Sequence, residues 1–457
     1  MTDTVYDMVV LGAGSGGYAA ALRGAQLGLR VALIEADKVG GTCLHRGCVP
    51  TKALLHAAET VDAVRGARAL GVDAELRGVD MAALNAYKDS IVTRMYKGLQ
   101  GLIASRGIDL ITGRGRLAGA GAVEVDGRAV RGRNIVLATG SYSKTIGQHI
   151  DDRVLTSEGA LRLERLPASA VVLGGGVIGV EFASAWASLG ARVTIIEALP
   201  RLVPGEDEAV SKQLERAFRK RRIAVRTNTM FESVERHDGG VTVRTQDGKT
   251  HDAEVLLIAV GRGPVTADLG YEQAGVAMDR GFVTTDGLGR TSVPGVWAVG
   301  DIVPGVQLAH RGFAQGIVVA EKIAGLDPAP VDDALVPRVT FCEPEIASVG
   351  LTEARARQVH GADAVTTAEF NVAGNAKSQI LGAQGFVKLV SLKDGPIVGF
   401  HAIGARMGEQ VGEGQLIVNW EADADDVAAL VHAHPTQNET LGEAAMALAG
   451  KPLHNHG

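Results

Sequence analysis

Cysteine is scarce. Three residues in a chain of 457 do not make a structural disulfide framework. Basic residues are never massed in a block and the formal net charge is −6, so the electrostatic footprint of a nucleic-acid binder is missing. No run approaches the roughly 18 uninterrupted apolar residues that a membrane-spanning helix needs. The start, Met1 to Asp7, is polar and acidic, and the apolar run after it ends at once in glycines. That pattern predicts a first strand rather than a signal peptide, with the cytoplasm as the expected compartment. Aromatics are few, whereas glycine is abundant, with 60 residues spread along the chain rather than gathered in one tract. Glycine used this way points to turns and close backbone approaches, not to disorder. The length predicts about three domains.

One unit occurs twice. Tyr6 to Leu11 is an apolar run of strand length, followed by the turn Gly12-Ala13-Gly14-Ser15-Gly16-Gly17 and an alanine-rich helical stretch. A second apolar run, Val31 to Ile34, then ends at Glu35. In this motif Gly12 permits the tight turn, Gly14 lets the backbone approach a pyrophosphate, and Gly17 lets helix and strand pack closely. The helix N-terminus offers N–H groups to phosphate. Glu35 lies 23 positions after Gly12, near the spacing of about 20 for an acid that binds a ribose 2′-hydroxyl. A lone glycine turn is weak evidence, but Ala170 to Leu173, Gly174-Gly175-Gly176-Val177-Ile178-Gly179, a helix to Leu189, Val193 to Ile196 and Glu197 repeat the whole arrangement, acid spacing included. Two dinucleotides are expected. A carboxylate at Glu197 accepts from a 2′-hydroxyl and repels a 2′-phosphate, which favours NAD over NADP; Arg201 nearby could soften that preference.

Two of the three cysteines, Cys43 and Cys48, lie five positions apart in Gly40-Gly41-Thr42-Cys43-Leu44-His45-Arg46-Gly47-Cys48-Val49-Pro50-Thr51-Lys52. Zinc fits poorly, because a structural site wants four ligands and only His45 is close. An iron–sulfur cluster needs more cysteines than Cys342 can add. Two inert buried thiols remain one reading, and a reversible dithiol/disulfide is the better account. Pro50 and Thr51 read as a helix start, which sets Cys48 near a positive helix end that lowers a thiol pKa. Near the other end of the chain, His434 has Glu439 five residues on, a candidate acid/base with a carboxylate to orient its ring. Taken alone, two histidines in a loop such as His432 and His434 are more often structural residues than catalytic ones.

The segment GGTCLHRGCVPTK resembles the redox signature of the class I flavoprotein disulfide reductases (pyridine nucleotide-disulfide oxidoreductases), and the resemblance extends over nearly the whole chain. His45-Arg46 and Thr51 depart mildly from the commonest form without removing a reacting atom. The resemblance implies an α/β fold with two Rossmann-like dinucleotide-binding domains and an α+β C-terminal interface (dimerisation) domain. The FAD-binding domain would be discontinuous, 1–147 and 271–336, with the NAD-binding domain 148–270 inserted and the interface domain at 337–457. Cys43 would be the interchange thiol, Cys48 the one against the flavin, and Lys52 the residue reaching the flavin edge, paired with Glu181. The match of His432 to Glu439 with HxHPTxxE makes His434 the base and Glu439 its partner, facing the cysteine pair of the other subunit of a homodimer.

The same resemblance assigns FAD to Gly12, Gly14, Gly17, Glu35, Gly41, Thr42, Lys52, Thr139, Gly140, Ser141, Asp301 and Ala309, and NAD to Gly174, Gly176, Gly179, Glu197 and Gly261. Gly295 to Asp301 is similar to the second flavin motif, and Leu308 to Ile323 to the helix whose N-terminus lies under the flavin. ATGS is followed by Tyr142-Ser143-Lys144 where a proline-containing continuation is usual, so a local loop difference is expected. Cys342 reads as an ordinary buried thiol. The implied reaction is oxidation of protein-bound dihydrolipoamide, with lipoyl domains and the acyltransferase core of 2-oxoacid dehydrogenase complexes as partners. A sibling reductase of a small thiol, mycothione- or glutathione-type, is the alternative. Arg46 and Arg311 are open in this respect: either meets a carboxylate or is a surface charge. A mercuric reductase would be expected to end in a further cysteine pair, and this chain ends His454-Asn455-His456-Gly457.

Overall fold

Short aliphatic runs that bury both faces belong in the middle of a parallel sheet flanked by helices, and the chain builds two such sheets. In a computed structural model describing Thr4–Asn455, contacts divide it into two compact units, one of Met1–Ala53, Ala82–Lys144 and Gly261–Asp333, the other of Leu54–Met81, Thr145–Val260 and Ala334–Gly457. The outermost residues of the polar start, Met1–Asp3, and the terminal His456–Gly457 lie outside the described residues. Among the described residues, no helix is long and apolar enough to cross a membrane.

In the first unit Val5–Leu11 pairs in parallel with Val31–Glu35 on one side and Arg128–Leu137 on the other. Asp109–Thr112 continues the sheet beyond Val31–Glu35, and Val296–Ala298 lies parallel to Arg128–Leu137. The winding reverses at Val5–Leu11, so a crevice opens beyond the carboxyl ends of that strand and Arg128–Leu137, the usual binding place in open α/β sheets. Helix α1 (Ser15–Gln26) follows the first strand. It packs backbone to backbone on the helix Ala309–Ile323: a Cβ on Gly316 would overlap the Gly16 carbonyl oxygen, and Gly16 lies against Gly312. The first turns of both helices are thereby brought together at the crevice.

The second unit repeats the plan. Ser169–Leu173 pairs in parallel with Arg192–Ile196 and with Val255–Ile258, and Ala224–Arg226 and Val154–Leu155 complete the sheet. The helix Val177–Leu189 is buried on almost every side. An antiparallel sheet of Phe231–His237, Gly240–Thr245 and Thr250–Ala253 packs Val241 and Val243 onto Val171, Leu173 and Ile196. Residues 334–455 of this unit contain a five-stranded antiparallel sheet in the order Arg338–Thr340, Glu345–Gly350, Ile397–Gly404, Phe386–Leu392, Val365–Asn371. The helices Met407–Asn419 and Glu439–Leu448 close over its core of Phe370, Leu389, Phe400, Ile417 and Leu441.

The loop that follows Glu197 is anchored by buried charge. Asp207 accepts from Lys388 Nζ at 2.9 Å, and Lys388 also meets Glu353 at 2.6 Å. Burial opposes the charge on Asp207, yet Lys388 holds its carboxyl below the usual range. Breaking one partner of such a pair strands a buried charge at a cost of about 3–5 kcal/mol, so the pair fixes the loop firmly.

The fold class read from the sequence is the one observed. Local structure differs from those expectations in two places. Helix α2 (Gly41–Arg46) is followed by helix α3, which begins at Cys48 rather than at Pro50 and runs to Gly66. Proline in a first turn costs nothing, because the N–H it lacks has no helical partner there. Where a loop difference was expected, Ser141–Ser143 forms a short strand paired antiparallel with Arg262–Pro264.

Candidate active site

The two glycine turns repeat each other in kind. Gly12 and Gly174 have φ of +100° and +107°, and a Cβ on either would run into a carbonyl oxygen, of Ala138 or Ala259. A Cβ on Gly17 or Gly179 would overlap the carbonyl oxygen of Gly12 or Gly174, so each helix sits directly on its turn. Gly14 and Gly176 face open space: the nearest atom to an added Cβ is Gly41 Cα, 4.0 Å away, in the first case, and there is none within 4 Å in the second. The helices that start there have no side-chain cap and no acidic residue in the first turn. Their N–H groups point to a phosphate.

Each acid also closes its own turn. Glu35 accepts from Ala13 N at 2.8 Å and Asp37 N at 2.9 Å. Glu197 accepts from Gly175 N at 2.5 Å and Leu199 N at 2.7 Å. A carboxylate has about four lone-pair sites, so both keep capacity for ribose hydroxyls. Arg201, the neighbour that could soften a preference for NAD, gives its guanidinium to the carbonyls of Pro204 (2.8 Å) and Glu206 (3.3 Å). These residues fit a dinucleotide in each unit.

In the first unit the loop after α1 and its strand carries the cysteines. Cys43 lies in α2 and Cys48 opens α3, and both are half-buried thiols within hydrogen-bonding reach of one another. The hydrogen bond to Cys48, then burial, then negative charge on Cys48 push the Cys43 thiol up, while Lys52 pulls it the other way. The pair thus gives up one proton more readily than two. Tyr18 of α1 stands close enough that burial, with the charge of Cys43 and Cys48, pushes its hydroxyl up to about 12. Its ring is 5.4 Å from that of Phe313. Tyr18 follows Gly17 directly, and that adjacency was the signal available in the sequence. His45 is occupied elsewhere, with Nε2 2.9 Å from Val39 O and its ring edge-on to Tyr96. Gly41, at φ +59°, brings its backbone against Gly14, and Thr42 follows it in α2.

Also in this unit, Ser141 Oγ donates to Asp301 Oδ2 at 2.5 Å and accepts from Arg262 Nε at 2.7 Å. Arg262 Nη2 donates to Ser141 O at 2.7 Å. Arg262 was not singled out in the sequence, where only its place after Gly261 marked it. Thr139 Oγ1 donates to Val265 O at 2.6 Å and lies 3.0 Å from the Tyr271 hydroxyl. Gly140 and Gly261 have φ of +77° and +101° with open space where a Cβ would stand. Ala309 is the first residue of a helix whose N-cap, Leu308, provides no side-chain cap. Arg311 is buried rather than a surface charge: Nε meets Asp333 at 2.5 Å and Nη2 meets Pro304 O at 2.6 Å. Arg46 pairs with Asp37 on the surface.

In the second unit Glu181 is buried and accepts from Phe341 N at 2.9 Å, so it is not a solvated helix residue. Cys342 is buried, donates weakly to Pro344 O, and burial raises its thiol well above the ordinary value. His434 Nδ1 lies 2.8 Å from Glu439 Oε1, while Glu439 Oε2 accepts from Thr436 N at 2.8 Å. Burial opposes the charge on Glu439, yet Thr436 and His434 hold its carboxyl below the usual range. The His434 side chain is 71 % exposed, which leaves Nε2 open to a partner or substrate.

Comparison with known proteins bears on the same residues. Residues 6–316 match the family model described as pyridine nucleotide-disulphide oxidoreductase, and residues 336–445 match that family's dimerisation domain. The chain belongs to the pyridine nucleotide-disulphide oxidoreductase family. It is 38 % identical to a dihydrolipoyl dehydrogenase of Bacillus subtilis over 98 % of this chain and 97 % of that protein. A dihydrolipoyl dehydrogenase of Thermus scotoductus is 38 % identical over 98 % of each chain. Among solved structures, LpdA from Mycobacterium tuberculosis is similar with a TM-score of 0.90 at 27 % identity, covering 96 % of this chain and 99 % of that one. The HOCl-induced flavoprotein disulfide reductase RclA from Escherichia coli has a TM-score of 0.86, also at 27 % identity, with the same coverage.

Proposed function

We propose that this chain is an FAD-dependent dihydrolipoyl dehydrogenase, oxidising protein-bound dihydrolipoamide with NAD in the cytoplasm. The observation that carries the reading is the Cys43–Cys48 pair, thiol beside thiol in the unit that also holds the first glycine turn. Identity of 38 % along almost the full length to proteins of that name supports the substrate. The first unit's glycine turn, Glu35, Gly41, Thr42, Lys52, Thr139, Gly140, Ser141, Asp301 and Ala309 would hold FAD. The turn at Gly174, Gly176 and Gly179, with Glu197 and Gly261, would hold NAD. Thus 1–147 with 271–336 serves the flavin, 148–270 the nicotinamide, and 337–457 an interface between two copies, which the match to the dimerisation domain supports.

The sulfur chemistry balances on the chain's own residues. With the pair oxidised, a substrate thiolate attacks Cys43 Sγ, a mixed disulfide forms, and Cys48 leaves as a thiolate. The second substrate thiol then displaces Cys43, so lipoamide leaves as its cyclic disulfide and two electrons remain on the cysteine pair. His434 of one copy takes the substrate's proton on Nε2, facing the cysteine pair of the other copy, while Glu439 fixes its ring through Nδ1. Lys52, on the helix that Cys48 opens, would balance charge beside the pair, with Glu181 as the partner that the family resemblance implies for it. FAD, when bound, would supply the electron acceptor for the dithiol and the hydride donor for NAD. Lipoyl domains and an acyltransferase core of a 2-oxoacid dehydrogenase complex are the matching partners.

Assay of the purified flavoprotein with dihydrolipoamide plus NAD, and separately with NADPH plus oxidised glutathione or a mycothiol disulfide, tests this reading. Turnover is expected only in the first arm; turnover only in the second would replace both substrate and nicotinamide. Glu197→Ala is expected to raise KM for NAD and narrow the NAD/NADP selectivity ratio, and unchanged selectivity would reject the role of Glu197.

A further inference from the structure

The segment His432–Asn438 carries the proposed base with little apolar burial to hold it: Val431 is 98 % exposed, and Ala433, His434 and Pro435 are exposed. Its downstream limb has several ties. Gln437 Nε2 donates to Ala405 O at 2.8 Å, Gln437 Oε1 accepts from Ser378 Oγ at 2.6 Å, and Asn375 Nδ2 donates to Thr436 O at 3.0 Å. The upstream limb is tied through His432, whose Nε2 lies 2.7 Å from Glu413 Oε1 on the helix Met407–Asn419. The other oxygen of the same carboxylate accepts from Asn438 Nδ2 at 2.5 Å. The His432 ring lies against Gly442, where a Cβ would crowd Nδ1.

We propose that Glu413 is a positioning residue for the thiol half-reaction, clamping both ends of the His432–Asn438 segment so that His434 is presented at a fixed point. The division of labour is between two carboxylates: Glu439 orients the His434 ring, and Glu413 fixes the segment that carries it. Glu413 and Glu439 are the charged groups facing His432 from the two helices packed against it, and the hydrogen bond from Glu413 raises the His432 pKa. In turn, against the effect of burial, His432 and Asn438 hold Glu413 below the usual carboxylate range. The tie is therefore complete between the lowered Glu413 pKa and the raised His432 pKa. It weakens as pH falls through the first or rises through the second. This inference rests on the reading of His434 as the base.

The test uses the FAD-loaded full-length enzyme with Glu413→Gln, Glu413→Asp, His432→Gln and the double variant Glu413→Gln/His432→Gln. Dihydrolipoamide-to-NAD turnover is measured across pH beside NADH-to-ferricyanide turnover, which does not need the dithiol. Glu413→Gln is expected to lower the dithiol kcat tenfold or more and to move its pH profile, with ferricyanide turnover within twofold. Glu413→Asp is expected to recover part of the loss, and the double variant to be no worse than the poorer single. Dithiol kcat and pH profile within twofold of wild type in Glu413→Gln would overturn the clamp. If the wild type itself fails to oxidise dihydrolipoamide, the reading of the function falls. The clamp is then read by histidine NMR titration: His432 is expected to titrate above the ordinary histidine value and to drop back in Glu413→Gln, and an unchanged His432 pKa would reject it.

Discussion

Cys48→Ser is expected to abolish dihydrolipoamide oxidation, by about 10⁴-fold or more, the scale on which an enzyme fails when a residue of its covalent intermediate is removed. The protein should still be yellow. Cys48 opens α3, and none of the proposed FAD contacts at the glycine turn, Glu35 or the Asp301–Ser141 hydrogen bond passes through its sulfur. Serine is close in size, so the first turn of α3 has no steric reason to unravel. The electron balance makes the outcome sharp, because without a second sulfur Cys43 cannot close a disulfide, and the substrate thiolate then has no disulfide to open and no acceptor for its two electrons. Steady-state turnover together with the flavin-to-protein ratio measures both halves. Full turnover in Cys48→Ser would remove the cysteine pair from the reaction path, and loss of FAD would show that Cys48 holds the cofactor site together.

His434→Gln is expected to lower dihydrolipoamide turnover by about 10² to 10⁴-fold, the range supplied by a positioned general base. Glutamine spans a similar length and can still meet Glu439, but it cannot accept the substrate proton. The deficit should narrow as pH rises toward the substrate thiol's own pKa, because the substrate then ionises without help. A pH-rate profile of the variant against wild type decides the point. A loss that stayed constant with pH would assign His434 to binding rather than proton transfer.

What was legible in the sequence was local. Each glycine turn, its helix and its acid lie within a few dozen residues, and the requirements at Gly12, Gly17, Gly174 and Gly179 are met by no other residue type. The cysteine segment was legible for the same reason. Bonds that join distant segments were not. Nothing near Glu413 signals that its carboxylate meets His432, 19 positions on, because that pairing joins the helix Met407–Asn419 to an irregular segment that returns to it. Arg262 meets Ser141 across 121 positions, and Arg311 is buried by Asp333. Glu35 and Glu197 were read as ribose ligands, but their use as braces for their own turns depends on backbone N–H directions that appear only once the turn is built. The start of α3 at Cys48 was missed because Pro50 was taken as the boundary, although proline is tolerated throughout a first turn.

The central claim, that Cys43 and Cys48 cycle between disulfide and dithiol, is tested most directly by counting thiols in the denatured protein. The chain has three cysteines, and Cys342 is buried and far in sequence from the other two. The air-oxidised enzyme is predicted to show one titratable thiol after denaturation, and the same enzyme reduced anaerobically with NADH before denaturation is predicted to show three. Three thiols in both states would contradict the account, because the pair would then never close.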